Sequence, residues 1–233
     1  MKRSVVKVVA VLLSLVSPAL VAADGAELDG ELLRQERLGY YYYGRGDMFG
    51  ALKHLVPVAE AGHGLSQYRV GQMEEASTNF EAAEAWYLMA IKAGVLEANY
   101  ALANMYSNAL LRDADHVKAY RLQLAAAERG FVPAMFSVAN AQERGLGADP
   151  DPESALAWYR KAADAGYIAA IRRLRKAYQL GELGLAKDQA EFDAQGQRAV
   201  QAEDDLRASS DKARREAFEE FRAIEKRYLN GVR

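Results

Sequence analysis

Small and apolar positions recur along this chain in a register longer than any one helix. Aligning Gly62, Gly94, Gly130 and Gly166, spaced by 32, 36 and 36 residues, brings the rest into columns. Eleven residues before each glycine is an alanine: Ala51, Ala83, Ala119 and Ala155. Eight before are His54, Trp86, Leu122 and Trp158. Four after are Ser66, Ala98, Ala134 and Ala170, and eight after are Val70, Leu102, Val138 and Leu174. A period of this length marks an array of helix pairs, each unit burying its apolar face on its neighbours.

Each period carries two helical patterns. Residues 131–166, FVPAMFSVANAQERGLGADPDPESALAWYRKAADAG, write them most clearly. A first helix, A, places Ala134, Val138 and Ala139 on one face. Gly145-Leu146-Gly147 turns the chain. Asp151 is the expected N-cap, with Pro152 at the first helical position. A second helix, B, aligns Ala155, Leu156, Tyr159, Ala162 and Ala163 until Gly166 closes it. Alanines let paired helices approach closely, while Trp158 and Tyr159 fill the space beside them.

These residues resemble the Sel-one-like repeat, a relative of the tetratricopeptide repeat. Residues 134–166 match closely, with Ala139 and Gln142 where Gly and Tyr are usual. Residues 64–94 keep Val70-Gly71 and AEAWYLMAIKAG. Residues 95–130 keep Leu102, Tyr106 and Gly130 without the Trp-Tyr pair. Residues 30–62 keep Leu38-Gly39, Tyr42 and Gly44-x-Gly46. The resemblance implies an all-α, right-handed α-solenoid of paired antiparallel helices. It also implies a scaffold for protein partners, in a class whose exported members are associated with polysaccharide export and flagellar-motor assembly.

The expected organisation is a signal peptide over 1–23, a solenoid over 24–202 and a C-terminal helix over 203–233. The solenoid holds repeats at about 30–62, 63–94, 95–130 and 131–166 and a degenerate fifth at 167–202. Lys2, Arg3 and Lys7 precede an apolar run, and Val21-Ala22-Ala23 offers cleavage after Ala23. The 16 uncharged residues 8–23, interrupted by Pro18, fall short of the roughly 20 a membrane span needs. Cleavage would move the net charge from −2 to −5. With no cysteine, the chain has no disulfide, thiol or lipid-modified cysteine. The expected location is the bacterial periplasm. In the C-terminal segment, Ser209-Ser210-Asp211 reads as a cap for a helix with Ala213, Ala217, Phe218, Phe221, Ile224, Tyr228 and Leu229 on its apolar stripe, ended by Asn230-Gly231 and either lying on the last repeat or serving as a partner-binding or dimerising helix.

Catalytic chemistry finds no foothold. His54, His63 and His116 have no metal-ligand spacing, and no nucleophile elbow, phosphate loop or HExxH occurs. Asp149-Pro150-Asp151-Pro152-Glu153 lacks the glycine and terminal glutamate of a calcium loop. No enzyme activity, cofactor or metal is expected, and no basic block argues for nucleic acid.

The candidate site is the concave face lined by A helices. With the core residue of each A helix at 0°, residues two before and two after lie at about 160° and 200°, away from helix B. The earlier column reads Glu36, Tyr68, Tyr100, Phe136 and Arg172. The later column reads Tyr40, Gln72, Asn104, Asn140 and Lys176. In LGYYYYGRG (38–46), Tyr41 and Tyr42 turn toward helix B, whereas Tyr40 and Tyr43 turn toward the groove. The candidate contacts are therefore Tyr40, Tyr43, Tyr68, Gln72, Tyr100, Asn104, Phe136, Asn140, Arg172 and Lys176. Carboxamides suit the backbone of an extended peptide, tyrosines give rigid contact area, and the two cations would receive an acidic end. The same columns could instead pack neighbouring A helices. A glycan or peptidoglycan ligand is the alternative reading, and a hydrolase the third.

Overall fold

The computed structural model describes residues 28–111 and 113–229. The leader over 1–23 and the helix end expected at Asn230-Gly231 lie outside them. Ten α-helices and no strand occur among the described residues. They are α1 Gly30–Gly44, α2 Met48–Glu60, α3 Gly64–Ala76, α4 Phe80–Lys92, α5 Leu96–Ser107, α6 His116–Glu128, α7 Val132–Arg144, α8 Pro152–Asp164, α9 Ile168–Leu180 and α10 Gln189–Ile224. Glu225–Leu229 continues as one π-helical turn. Odd-numbered helices α1 to α9 are the A helices, and α2, α4, α6 and α8 the B helices.

The helix ends follow the sequence signals. Asp29, Asp47, Asp115 and Asp151 each accept a backbone N–H of the first turn, which satisfies a donor the helix itself cannot pair. His63 caps α3 in the same way. Gly62, Gly94, Gly130 and Gly166 all have positive φ, between 80° and 98°. That conformation is why this column is glycine.

The chain forms two compact units. The first comprises the described residues up to Val95 together with those from Ala208; the second runs from Leu96 to Arg207. In the first, α1 packs on α2, α2 on α3 and α3 on α4; in the second, α5 to α9 pack in the same consecutive way. This is the helix pairing of an α-solenoid. The alanine column Ala51, Ala83, Ala119 and Ala155 is buried, as are Ser66, Ala98, Ala134 and Ala170 and the core column Leu38, Val70, Leu102, Val138 and Leu174. Close approach is built in at Gly71, where a Cβ would stand 2.8 Å from the Tyr87 ring.

The C-terminal region departs from expectation. One continuous 36-residue helix covers Gln189–Ile224. Ser209, Ser210 and Asp211 lie inside it rather than capping a new one, and Asp211 instead accepts from Arg214 one turn on. The reason is the absence of any proline and the presence of a single glycine, Gly196, through the whole span. In the second unit, the early part of this helix joins the core around α8 and α9 through Ala199 and Ala202, and Arg198 bonds Ala163 O and Asp164. In the first unit, its late part covers α1 rather than the last repeat. Ile224 and Phe221 pack on Leu38 and Tyr41, and Tyr41 Oη donates to Glu225 at 2.8 Å. Gly44 makes room there, since a Cβ would stand 2.3 Å from Phe221 Cζ. Phe218, expected on the buried stripe, is exposed.

Candidate functional site

The four tyrosines of α1 separate as their helical angles require. Tyr41 is buried under α10, with its ring 5.6 Å from Phe221. Tyr42 stacks on His54 of α2 at 5.3 Å, so His54 is a packing residue in the tryptophan column. Burial lowers the His54 pKa, with Lys53 and Arg34 acting in the same direction. Tyr40 and Tyr43 are half-buried on the A-helix face and also pack on the core of Ala51, Leu55 and Val70.

In the first unit, α3 adds Tyr68, Arg69 and Gln72 to that face. Tyr68 is buried, with its ring 5.9 Å from Tyr87. The Gln72 amide is held on both sides: Nε2 donates to Tyr68 Oη at 2.8 Å, and Oε1 accepts from Arg69 Nη1 at 2.7 Å. The Arg69 guanidinium lies 5.6 Å from the ring centres of both Tyr43 and Tyr68. Burial pushes the Tyr40 phenol well above its ordinary pKa, while Arg69 pulls it down.

In the second unit, the aromatic column packs inward. Tyr100 meets Phe131 edge-on at 5.8 Å, and Phe136 lies 5.5 Å from Tyr159 and 5.4 Å from Tyr167. Asn104 and Asn140 remain half-exposed on α5 and α7; Asn140 is also a hydrogen-bond partner of the buried Tyr159 hydroxyl. Arg172 and Lys176 are exposed on α9. Arg172 donates to Glu203 of α10 at 2.6 Å, so the chain already supplies it with a carboxylate.

A polar cluster that the column alignment passed over lies behind this face. Arg173 pairs with Glu143 of α7 and with Glu182, the latter at 2.8 Å, and Glu143 also accepts from Tyr159 Oη at 2.8 Å. Arg173 holds the Glu143 carboxyl below its ordinary pKa, against the opposing effect of burial. The signal was present in the column one residue before the A-helix core position, which reads Arg37, Arg69, Ala101, Ser137 and Arg173. Two of these arginines are deeply placed in the fold.

Nothing in either unit assembles a metal site: no group of three or more His, Asp or Glu that could hold an ion occurs among the described residues. No helix among them is long and apolar enough to cross a membrane. A shallow concavity of about 470 Å³ lies beside Asp113, Asp115, His116 and Gly147. Asp115 there is engaged in capping α6.

The Sel1 repeat pattern matches residues 35–53, 64–95, 96–131 and 132–167, just over half of the chain. The chain belongs to the Sel1 repeat family. Its fold is similar to that of a Sel1 repeat protein from Oxalobacter formigenes, at 26% identity and a TM-score of 0.67, covering 73% of each chain. It is also similar to c5321, a protective antigen present in uropathogenic Escherichia coli strains displaying an SLR fold. That match has 25% identity and a TM-score of 0.62 and covers 81% of this chain but 45% of the other. No protein of curated function is similar enough to count as a relative. Sel1 repeats generally serve as non-catalytic scaffolds for protein partners.

Proposed function

We propose that this Sel1 protein is an exported scaffold that holds an extended segment of a protein partner on its A-helix faces, in the assembly of the bacterial envelope. The observation that carries this reading is the pairing of half-exposed carboxamides with immobilised aromatic rings. Asn104 and Asn140 project from α5 and α7, two residues after the core position, while Tyr100 and Phe136 on the same helices are locked by Phe131, Tyr159 and Tyr167. A carboxamide can both donate to and accept from a peptide backbone. Rings already fixed by packing lose little entropy on contact.

Asn104→Ala with Asn140→Ala is expected to reduce capture of the partner from envelope extracts by at least about tenfold, the equivalent of one or two lost hydrogen bonds. The helical circular-dichroism signal should remain that of the wild type. Undiminished capture by the double variant would rule out this face. Export rests on the sequence of residues 1–23. The mature protein recovered from the periplasmic fraction should begin at Asp24 by intact mass; an unprocessed chain retained in the cytoplasm would refute the location.

A further inference from the structure

Arg69 and Arg173 occupy the same place in the repeat, one residue before the core positions Val70 and Leu174 of α3 and α9. Their surroundings differ in one respect. Arg173 is met by two carboxylates, Glu143 and Glu182. Glu143 stands five residues after the core position of the preceding A helix, and Glu182 eight residues after the core position of α9 itself. In the register of Arg69, those two places are Tyr43 and Thr78. Where the fold uses this arginine internally, the chain supplies both counter-charges; at Arg69 it supplies neither.

Arg69 is nevertheless the more deeply buried of the pair, at 4% exposure. Its partners are neutral: Gln72 Oε1 at 2.7 Å, the Tyr40 hydroxyl, and the faces of Tyr43 and Tyr68. Glu36, which also acts on Tyr40, has a carboxylate oxygen 3.7 Å from His63 Nε2. A guanidinium withdrawn from water without a counter-charge is costly. It carries five N–H donors in a fork that fits a carboxylate at two points. The rings of Tyr43 and Tyr68 lie 5.6 Å from the guanidinium, and its N–H groups meet the neutral Gln72 amide oxygen and Tyr40 hydroxyl. Gln72, half-exposed on the next turn, holds a neutral oxygen where a carboxylate oxygen would bond more strongly.

We propose that Arg69 receives a side-chain carboxylate of the partner: an aspartate or glutamate in an extended acidic segment that displaces the Gln72 amide and docks between Tyr40 and Tyr43. This rests on the scaffold reading above and names the chemistry of its ligand.

The probe is an array of immobilised, C-terminally amidated peptides containing single aspartates or glutamates. Each is paired with its Asn or Gln counterpart and with a copy bearing a free C-terminal carboxylate. The intact mature protein should prefer the acidic amidated peptides by about tenfold over their amide counterparts. Arg69→Gln should erase that preference, Arg69→Lys should keep part of it, and Arg160→Gln, at an exposed position of α8, should leave it unchanged. The preference of the wild-type protein decides the matter even where an Arg69 variant folds poorly. Binding without an acidic preference overturns this inference and leaves the scaffold reading standing. A preference confined to free C-termini overturns it in favour of a chain-end carboxylate. No binding to any peptide contradicts both.

Discussion

Replacing Tyr159 with alanine should destabilise the protein by about 4 kcal/mol, in line with other large-to-small aromatic deletions in cores. Tyr159 is fully buried at the centre of the second unit, among Ala155, Ala163, Ile171 and Leu174. Its ring meets Phe136 at 5.5 Å, and its hydroxyl donates to Glu143 at 2.8 Å. Truncation therefore opens a cavity and removes a donor from a half-buried carboxylate. Tyr159→Phe separates the two effects. It keeps the volume and should cost only about 1 kcal/mol, because Glu143 retains Arg173. Urea unfolding should show the alanine variant with a much lower midpoint and the phenylalanine variant near the wild type, with the slope unchanged in both. Equal costs for the two variants would mean that the hydroxyl, not the ring, holds this unit together.

Arg173→Leu should cost about 2–4 kcal/mol at neutral pH. A fully buried ion pair broken on one side costs more, but Glu143 and Glu182 keep 25% and 35% side-chain exposure, and water offsets part of the loss. The pH dependence gives the sharper signature. Arg173 holds the folded Glu143 carboxyl below its ordinary pKa. A carboxyl lowered in the folded state adds stability above its unfolded pKa and loses it as the pH falls through the folded value. In Arg173→Leu the Arg173 contribution is gone, and burial, which favours the protonated acid, is opposed only by the Tyr159 hydroxyl and Lys176. The stability gap between wild type and variant should narrow steadily as the pH falls below the ordinary carboxylate range. A gap independent of pH would show that Arg173 acts through its packing on the Tyr159 ring, 5.7 Å away.

The repeat was legible in the sequence because packing writes it as columns. Positive φ demands glycine at Gly62 and its counterparts, and close helix pairs demand small residues at Ala51 and Ser66. The roles of Tyr41 and Tyr42 followed from an angle of about 100° per residue. The same geometry placed Tyr68 and Phe136 away from their partner helices, but it could not tell how deep those rings lie: neighbouring segments such as Tyr167 also reach them. The course of the C-terminal helix was hidden for a different reason. Ser209-Ser210-Asp211 has the composition of a cap, yet such residues continue a helix when nothing breaks it and tertiary contacts hold both its ends. Nor does periodicity say which helix an amphipathic stripe will cover, and Phe221 and Ile224 chose α1. Arg69 and Arg173 were missed because a charged residue beside a core column reads as a solvated flank. Only the comparison of Tyr43 with Glu143 and of Thr78 with Glu182 shows that one arginine is compensated and the other is not.

The claim that partners bind on the A-helix faces is tested most directly by site-specific photocrosslinking in the cells that make the protein. A photoreactive residue placed at Asn104 or Asn140 should yield the same discrete adduct. The same residue at Lys92 or Arg160, exposed on helices α4 and α8, should yield none. Adducts of equal strength from all four positions, or adducts only from Lys92 and Arg160, would contradict the account.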